Sequence, residues 1–193
     1  MWSRLVLVVL VSAGCRDLLG IEDARIVDAA RGPLDVGVGD GGGDASGTPG
    51  EVSAALLAEW SGCMSLENFT ATMMSPAWAN LVSTGGQTCS NCHSSGEYGF
   101  VANPVDGVMF DMIATKRFYL QQFFVVDFTT GLSAAKVVVN RANINNVATA
   151  QPPHAQHPTF PVMNPGMSAL DNFYERTRLR RLQGMCDPPR LQD

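Results

Sequence analysis

The residues best suited to chemistry are the cysteines and the histidine of Cys89-Ser90-Asn91-Cys92-His93. Their spacing places both sulfurs on one side of a single helical turn. Two thiols in a C-x-x-C-H pattern can add across the vinyl groups of a haem and hold it through thioether bonds. The imidazole of His93 would then be the proximal iron ligand. The pattern predicts one covalent haem c bound by Cys89, Cys92 and His93.

Other uses of a C-x-x-C pair agree less well with the sequence. A zinc ribbon takes four ligands, typically from two such pairs, and the chain has only one pair. A thioredoxin-like redox pair belongs near a βαβ pattern, which the sequence does not predict. The histidines form no convincing triad, and no serine stands in a G-x-S-x-G setting. Haem attachment is therefore the favoured interpretation.

Composition and charge limit the function classes further. The chain has 193 residues, of which 46% are hydrophobic and 16% charged, so a packed core is possible. The net charge is −5 and no basic run accompanies an aromatic-rich stretch, so nucleic-acid binding is not expected. Arginines do cluster near the C-terminus, at 176, 178, 180 and 181, where an acidic partner, the haem propionates or solvent could face them.

The first 15 residues have the features of an export signal. Arg4 precedes a compact apolar run that is too short to span a bilayer. The following Ser12-Ala13-Gly14-Cys15 resembles the lipobox of bacterial lipoproteins, although Ser12 stands where leucine is usual. We therefore expect residues 1–15 to be a lipoprotein-type signal peptide, with Cys15 lipidated and anchored in a membrane. The alternative is ordinary cleavage nearby, which leaves Cys15 removed or free.

Residues 16–47 are predicted to be a flexible linker. Their first part, Arg16 to Ala24, is similar to the start of many surface lipoproteins of myxobacteria and their relatives. From Gly32 to Gly50 the chain is dominated by Gly, Asp, Pro and small residues. Such a stretch cannot bury enough apolar area to offset its conformational entropy.

Hydrophobic spacing and capping signals predict a mainly α-helical domain over residues 48–193. Thr48 and Glu51 stand in capping-box relation, and Pro49 takes the first helical position. The other expected elements are an end of this helix at Ser61-Gly62, helices over 65–74 and 77–82, a helix within 112–126, a strand over 135–139, and a last helix from a Ser168/Asp171 capping box to Gly184. The expected core residues include Leu66, Phe69, Met73, Met74, Met109, Met112, Ile113, Phe118 and Phe123.

The motif and the helical pattern together resemble c-type cytochromes. The resemblance rests on Cys89 to His93, and the remainder matches only in its broad helical pattern. It implies a cytochrome c-like helical haem domain and one-electron transfer, carried out by an electron carrier rather than an enzyme. Covalent haem attachment in bacteria occurs outside the cytoplasm, in agreement with the export signal. The expected setting is the cell envelope, facing the periplasm or the outer surface, with redox proteins as partners.

The resemblance also implies a sixth iron ligand, usually a methionine shortly before the C-terminal helix. Met167 is the first candidate because a flexible Pro-Gly pair precedes it, and Met163 is the near alternative. His154 and His157 lie in a proline-rich loop, and either could supply an imidazole instead. An open or water-bound position is also possible, and methionines commonly fill cores.

Two cysteines remain after these assignments. Cys63 and Cys186 lie towards opposite ends of the domain, and an oxidising compartment permits a disulfide between them. Such a bridge would close a long loop, worth about 4–5 kcal/mol in the chain-entropy model. The alternative is two separate buried thiols.

Two further function classes stay open. A haem-based sensor or haem enzyme subunit would need an open or displaceable sixth position. A disulfide-stabilised surface lipoprotein would need no haem.

Overall fold

The computed structural model describes residues 47–145, 157–161 and 163–192. Helices make up 58% of these residues and strands 8%, so the domain is mainly α-helical, as predicted. The expected signal peptide with Cys15, almost all of the expected linker, and His154 lie outside the described residues.

The described helices and strands follow one another in chain order. They are α1 (Pro49–Cys63), α2 (Leu66–Ala71), α3 (Met74–Ala79), α4 (Ser90–His93), α5 (Asp106–Thr115), α6 (Arg117–Phe123), β1 (Phe124–Asp127), β2 (Lys136–Val139), α7 (Arg141–Asn145) and α8 (Asn164–Leu182). Short 3-10 turns occur at Glu97–Gly99 and Leu132–Ala134. None of the described helices is both long and apolar enough to cross a membrane.

Helix α1 begins as its sequence predicts. The Thr48 hydroxyl accepts a hydrogen bond from the Glu51 N–H (3.3 Å), and the Glu51 carboxylate accepts one from the Thr48 N–H (2.7 Å). This capping box is therefore confirmed. The predicted end at Ser61-Gly62 is wrong, because α1 continues to Cys63. Gly62 is required inside the helix, since a Cβ there would collide with the carbonyl oxygen of Asp187.

The core is built around α8, which packs against α1, α2 and α3. Phe173 of α8 is fully buried and meets Phe69 edge-to-face, with ring centroids 5.2 Å apart. Gly166 lets the backbone of α8 lie close to the indole of Trp78 in α3, because a Cβ at this position would be only 3.1 Å from the indole ring. Trp78 meets Phe100 edge-on at 5.8 Å between centroids. The aromatic core thus continues through Trp78 towards the segment that follows the C-x-x-C-H motif.

The single helix predicted over residues 65–74 is wrong. The chain leaves α2 after Ala71 and enters α3 at Met74, with Met73 between them in the left-handed region (φ 60°). This break turns Met73 outwards, where it is 60% exposed, and Leu66 is 43% exposed. Of Leu66, Phe69 and Met73, which were all expected in the core, only Phe69 is buried.

The helix predicted within residues 112–126 is present as α6, but the core residues expected on it are divided between two helices. Lys116 has an extended backbone (φ −117°, ψ 113°) and separates α5 from α6. Phe118 is consequently 57% exposed, although Ile113 and Phe123 are buried as expected. The β-branched end of the stretch pairs as β1 with β2 in an antiparallel two-stranded sheet, with Val126 opposite Val137.

Helix α8 begins earlier than predicted. It starts at Asn164, with Met163 as the N-cap residue, so the Ser168/Asp171 capping box does not form its start. Asp171 instead lies in an ion pair with Arg141 at 2.6 Å. The chain leaves the helix through Gly184 in the left-handed region (φ 65°), the position predicted for the stop.

The segment after α8 returns to the end of α1. A disulfide joins Cys63 to Cys186, the two cysteines that the sequence left unassigned. The Asp187 N–H donates to the Gly62 carbonyl (3.0 Å), and the buried Ser61 hydroxyl accepts from the Arg190 N–H (2.9 Å). The segment after α8 is therefore held to the end of α1 by one covalent bond and by hydrogen bonds to the backbone and to a side chain around it.

Removing the disulfide should lower the stability of the domain strongly. The bridge spans 123 residues, and a loop of that size corresponds to about 4–5 kcal/mol in the chain-entropy model. We expect the double variant Cys63→Ala/Cys186→Ala to lose about this much free energy of unfolding in urea. The double variant Cys89→Ser/Cys92→Ser, compared without haem, is the control with the bridge intact. A loss below about 1 kcal/mol in the first variant would contradict a structural role for the bridge.

Candidate functional site

The C-x-x-C-H motif forms the single turn of α4, with Cys89 as its N-cap residue. The loop before it is closed by a bridge between Val82 and Thr88, and the Cys89 N–H donates to the Leu81 carbonyl (3.2 Å). Both motif cysteines are free thiols; Cys89 is buried and Cys92 is exposed. The predicted short helical turn is therefore present, with one thiol inside the domain and one at its surface.

His93 is buried, with 8% of its surface exposed. A hydrogen bond at Nδ1 fixes the orientation of its imidazole ring. Its Nδ1 lies 2.7 Å from the backbone carbonyl oxygen of Glu97. Because a carbonyl oxygen only accepts, Nδ1 carries the proton, and Nε2 is the nitrogen available to bind a metal. The ring of Phe100 meets the imidazole edge-on at 5.5 Å between centroids. His93 is thus prepared, in tautomer and in position, to act as a ligand.

The loop that supplies the Glu97 carbonyl is packed tightly against α6. Gly96 has φ +86°, and its carbonyl accepts a hydrogen bond from the Tyr119 hydroxyl (3.1 Å). Tyr98 also lies in the left-handed region, with φ 56°. Hydrogen bonds from the backbone N–H groups of Glu97 itself and of Ser95 lower the pKa of the Glu97 carboxyl group. Backbone strain in this loop is therefore compensated by specific contacts, which hold the carbonyl behind His93.

A mainly apolar cavity lies between the motif and the segment before α8. About 380 Å³ of space lies between its side chains, but this figure includes open solvent, and the enclosed cavity itself holds only about 20 Å³. The lining residues are Trp78, Cys89, His93, Phe100, Asn143, Ile144, His157, Phe160 and Met163. Only a small part of the space is wide enough for a water molecule. A planar macrocycle would therefore have to move lining side chains apart.

The candidate sixth ligands lie at different places. His157 and Met163 line the cavity together with His93. Met167 is inside α8, partly buried and packed against the hydrophobic core, and it is not among the lining residues. The structure therefore brings the alternatives His157 and Met163 to the motif, and not the first candidate.

The chemical groups around the cavity, though not its present volume, are those that a covalently attached haem needs. Cys89 provides a thiol, His93 provides an imidazole with Nε2 available, and aromatic rings line the space. The second thiol, Cys92, is exposed and is not among the lining residues. The Nε1 of Trp78 is buried and has no hydrogen-bond acceptor among the described residues. A bound group with carboxylate oxygens could supply an acceptor, which would remove the energetic cost of this unpaired donor.

The protonation of the buried thiol follows from its surroundings. Burial raises the pKa of Cys89 to about 12, and the neighbouring Cys92 adds to the increase. Cys89 is therefore a neutral thiol at neutral pH and contributes no buried charge to the cavity.

Three of the four arginines of α8 have partners within the domain. Arg181 makes a two-point contact with Glu59, with both distances 2.8 Å, and Arg178 bonds Glu175 at 2.8 Å. Arg180 donates to the carbonyl oxygen of Cys63 (2.9 Å). The cluster seen in the sequence is thus used in part to fasten α8 to α1.

Three parts of the site could not have been identified from the sequence. They are the Glu97 carbonyl behind His93, the indole of Trp78 and the ring of Phe160. A backbone carbonyl carries no residue identity, and aromatic residues in helices or loops are ordinary core residues. Only the fold reveals that these groups surround the motif.

No protein-family model, curated protein or solved structure matches the chain. In the part of the chain that the structure describes, no three or more His, Cys, Asp and Glu side chains form a group that could hold a metal ion.

Gly96 should be required for the loop behind His93. In Gly96→Ala the new Cβ would collide with the Tyr119 hydroxyl and lie 2.6 Å from Met112 Cε, at a φ unfavourable for alanine. We expect a loss of about 2–4 kcal/mol in the free energy of unfolding. Gly107→Ala is the control, because its Cβ would enter open space within α5. Equal stability of the two variants would show that the loop is not packed as described.

The two motif thiols should react at different rates in protein made without haem. At pH 8 the raised pKa keeps Cys89 in the thiol form, and burial restricts access to it. After mild reduction, we expect iodoacetamide to modify exposed Cys92 at least about tenfold faster than Cys89, as measured by peptide mass mapping. Similar rates for both would mean that Cys89 is not enclosed by the cavity.

Proposed function

We propose that the chain is a mono-haem c-type cytochrome that transfers single electrons at the cell envelope. In this proposal Cys89 and Cys92 hold the haem covalently and His93 is the proximal ligand. A cytochrome c-like fold, export and a lipid anchor at Cys15 belong to the same proposal. The single observation that carries it is the position of His93, buried at a cavity beside Cys89 with its Nδ1 bonded to the Glu97 carbonyl.

The haem, when bound, supplies reversible one-electron exchange at its iron. The Glu97 carbonyl keeps the proton of His93 on Nδ1, directs Nε2 towards the ligand role, and makes the imidazole a better donor. The aromatic and aliphatic lining restricts access of water, which is one of the means by which a protein tunes a redox potential.

The two cysteines lie in different environments. Buried Cys89 belongs to the lining of the cavity, and exposed Cys92 lies at the surface outside that lining. A haem bonded to both thiols would therefore extend from the cavity towards solvent. Such access is needed if electrons are to be exchanged with redox proteins in the envelope.

Covalent haem attachment can be tested directly. The chain would be produced with a c-type haem maturation system, denatured and extracted with acid-acetone, and the absorption of the polypeptide would be recorded. We expect the haem to stay on the polypeptide, with sharp α and β bands in the reduced protein before denaturation. The variant Cys89→Ser/Cys92→Ser should retain none after extraction, since both thioether bonds are lost.

Ser90→Ala is the matched control, because it changes the motif turn but leaves C-x-x-C-H intact. It should retain the haem. Absence of haem from the extracted wild-type polypeptide would overturn the proposal, as would haem retained without the cysteines. Attached haem with a high-spin spectrum that shifts with carbon monoxide would replace electron transfer by a sensor or haem enzyme subunit.

A further inference from the structure

His157 faces His93 across the cavity. The centroids of the two imidazole rings are 6.3 Å apart, and the ring planes are inclined by 43°. Both side chains line the same space. His93 has Nδ1 engaged with the Glu97 carbonyl, so its remaining nitrogen is the one that can take part in ligation.

This separation matches two imidazoles on opposite sides of one metal ion. A metal–imidazole bond is about 2.0–2.1 Å, and a ring nitrogen lies about 1.1–1.2 Å from the centre of its ring. Two trans imidazoles therefore have centroids about 6.2–6.6 Å apart when the metal lies between them. The inclination of the planes does not conflict with this geometry, because each ring can rotate about its metal–nitrogen bond.

The position of His157 depends on the same short loop that supports the motif. In the segment that follows His157, the Thr159 carbonyl accepts a hydrogen bond from the Thr84 N–H (3.0 Å), and the hydroxyls of these two threonines are 3.2 Å apart. Thr84 lies within the loop closed by the Val82–Thr88 bridge, directly before Cys89. Phe160 is buried beside the cavity. The segments that carry His93 and His157 are therefore both connected to the loop closed by the Val82–Thr88 bridge.

The two methionine candidates are placed differently. Met167 is packed in α8 and does not line the cavity. Met163 does line it, as the N-cap residue of α8, but is partly buried among core side chains. From these positions we infer that His157 is the second axial ligand, so that the iron is held by two imidazoles. The inference rests on the proposed function, because it requires the haem.

Ligation by two imidazoles has a measurable consequence. Methionine as the axial partner of histidine raises the reduction potential of a haem. A second imidazole in its place should give a lower potential, a low-spin iron and no sulfur-to-iron charge-transfer band. An aromatic contact between two rings would also allow the observed distance. A spectrum of the iron distinguishes ligation from such a contact, whereas a measurement of protein stability does not.

The experiment uses haem-loaded protein and compares His157→Ala, His157→Met and wild type. Wild type should show a low-spin ferric paramagnetic resonance spectrum without the sulfur-to-iron band. His157→Ala should keep its covalent haem, lose the low-spin signal and regain it when imidazole is added. His157→Met should either gain the sulfur-to-iron band with a raised potential or become high-spin. Both results with methionine support ligation by His157, since a purely structural residue would leave the iron spectrum unchanged.

His154→Ala and Met167→Leu are the matched controls and should leave the low-spin spectrum and the potential unchanged. Loss of the low-spin signal in either of them, or in Met163→Leu, would overturn the assignment of His157. So would a wild-type spectrum retained in His157→Ala. In all these cases covalent haem stays on the polypeptide and the proposed function stands. Wild type without covalent haem would instead overturn both proposals.

Discussion

The close packing of Trp78 beneath α8 is the constraint on which the rest of the domain depends. Gly166 lets α8 approach the indole, and Phe100 meets the indole edge-on. Because α8 begins only two residues before Gly166, this contact also limits where the preceding segment with His157 and Met163 can lie. The same indole lines the cavity beside His93. The packing of Trp78 in the core therefore also determines the geometry of the candidate site.

Local interactions explain which elements could be predicted. The Thr48/Glu51 capping box involves neighbouring residues, and the Gly184 stop needs only a residue that tolerates the left-handed region. The break at Met73 is local as well, because Pro76 lacks the backbone N–H that would bond the Thr72 carbonyl and is tolerated only in the first turn of a new helix. The break at Lys116 has a different origin. Lys116 is not a usual helix breaker, so this break follows from burial of Ile113 and other core residues on separate helices, and from pairing of the following strand. Tertiary contacts of that kind leave no periodic signal in the chain.

The site divides in the same way. Cys89, Cys92 and His93 lie within one helical turn, and a sequence displays their spacing directly. In the proposed haem site, the choice among methionines and histidines as the second axial ligand depends on where α8 starts. Its start at Asn164, ahead of the expected Ser168, takes Met167 out of the loop and into the helix. Proximity along the chain could therefore identify the candidates but could not rank them.

The Cys63–Cys186 bridge also imposes an order on maturation. In the described chain Cys63 comes first, Cys89 and Cys92 follow, and Cys186 comes last. During synthesis from the N-terminus, the motif thiols therefore meet any oxidant while Cys63 still lacks its native partner. A motif cysteine that forms a non-native disulfide with Cys63 leaves Cys186 without its partner. Under the proposed function that cysteine would also be unable to form its thioether bond to haem, so the order of disulfide formation and haem attachment would affect the yield of correctly assembled protein.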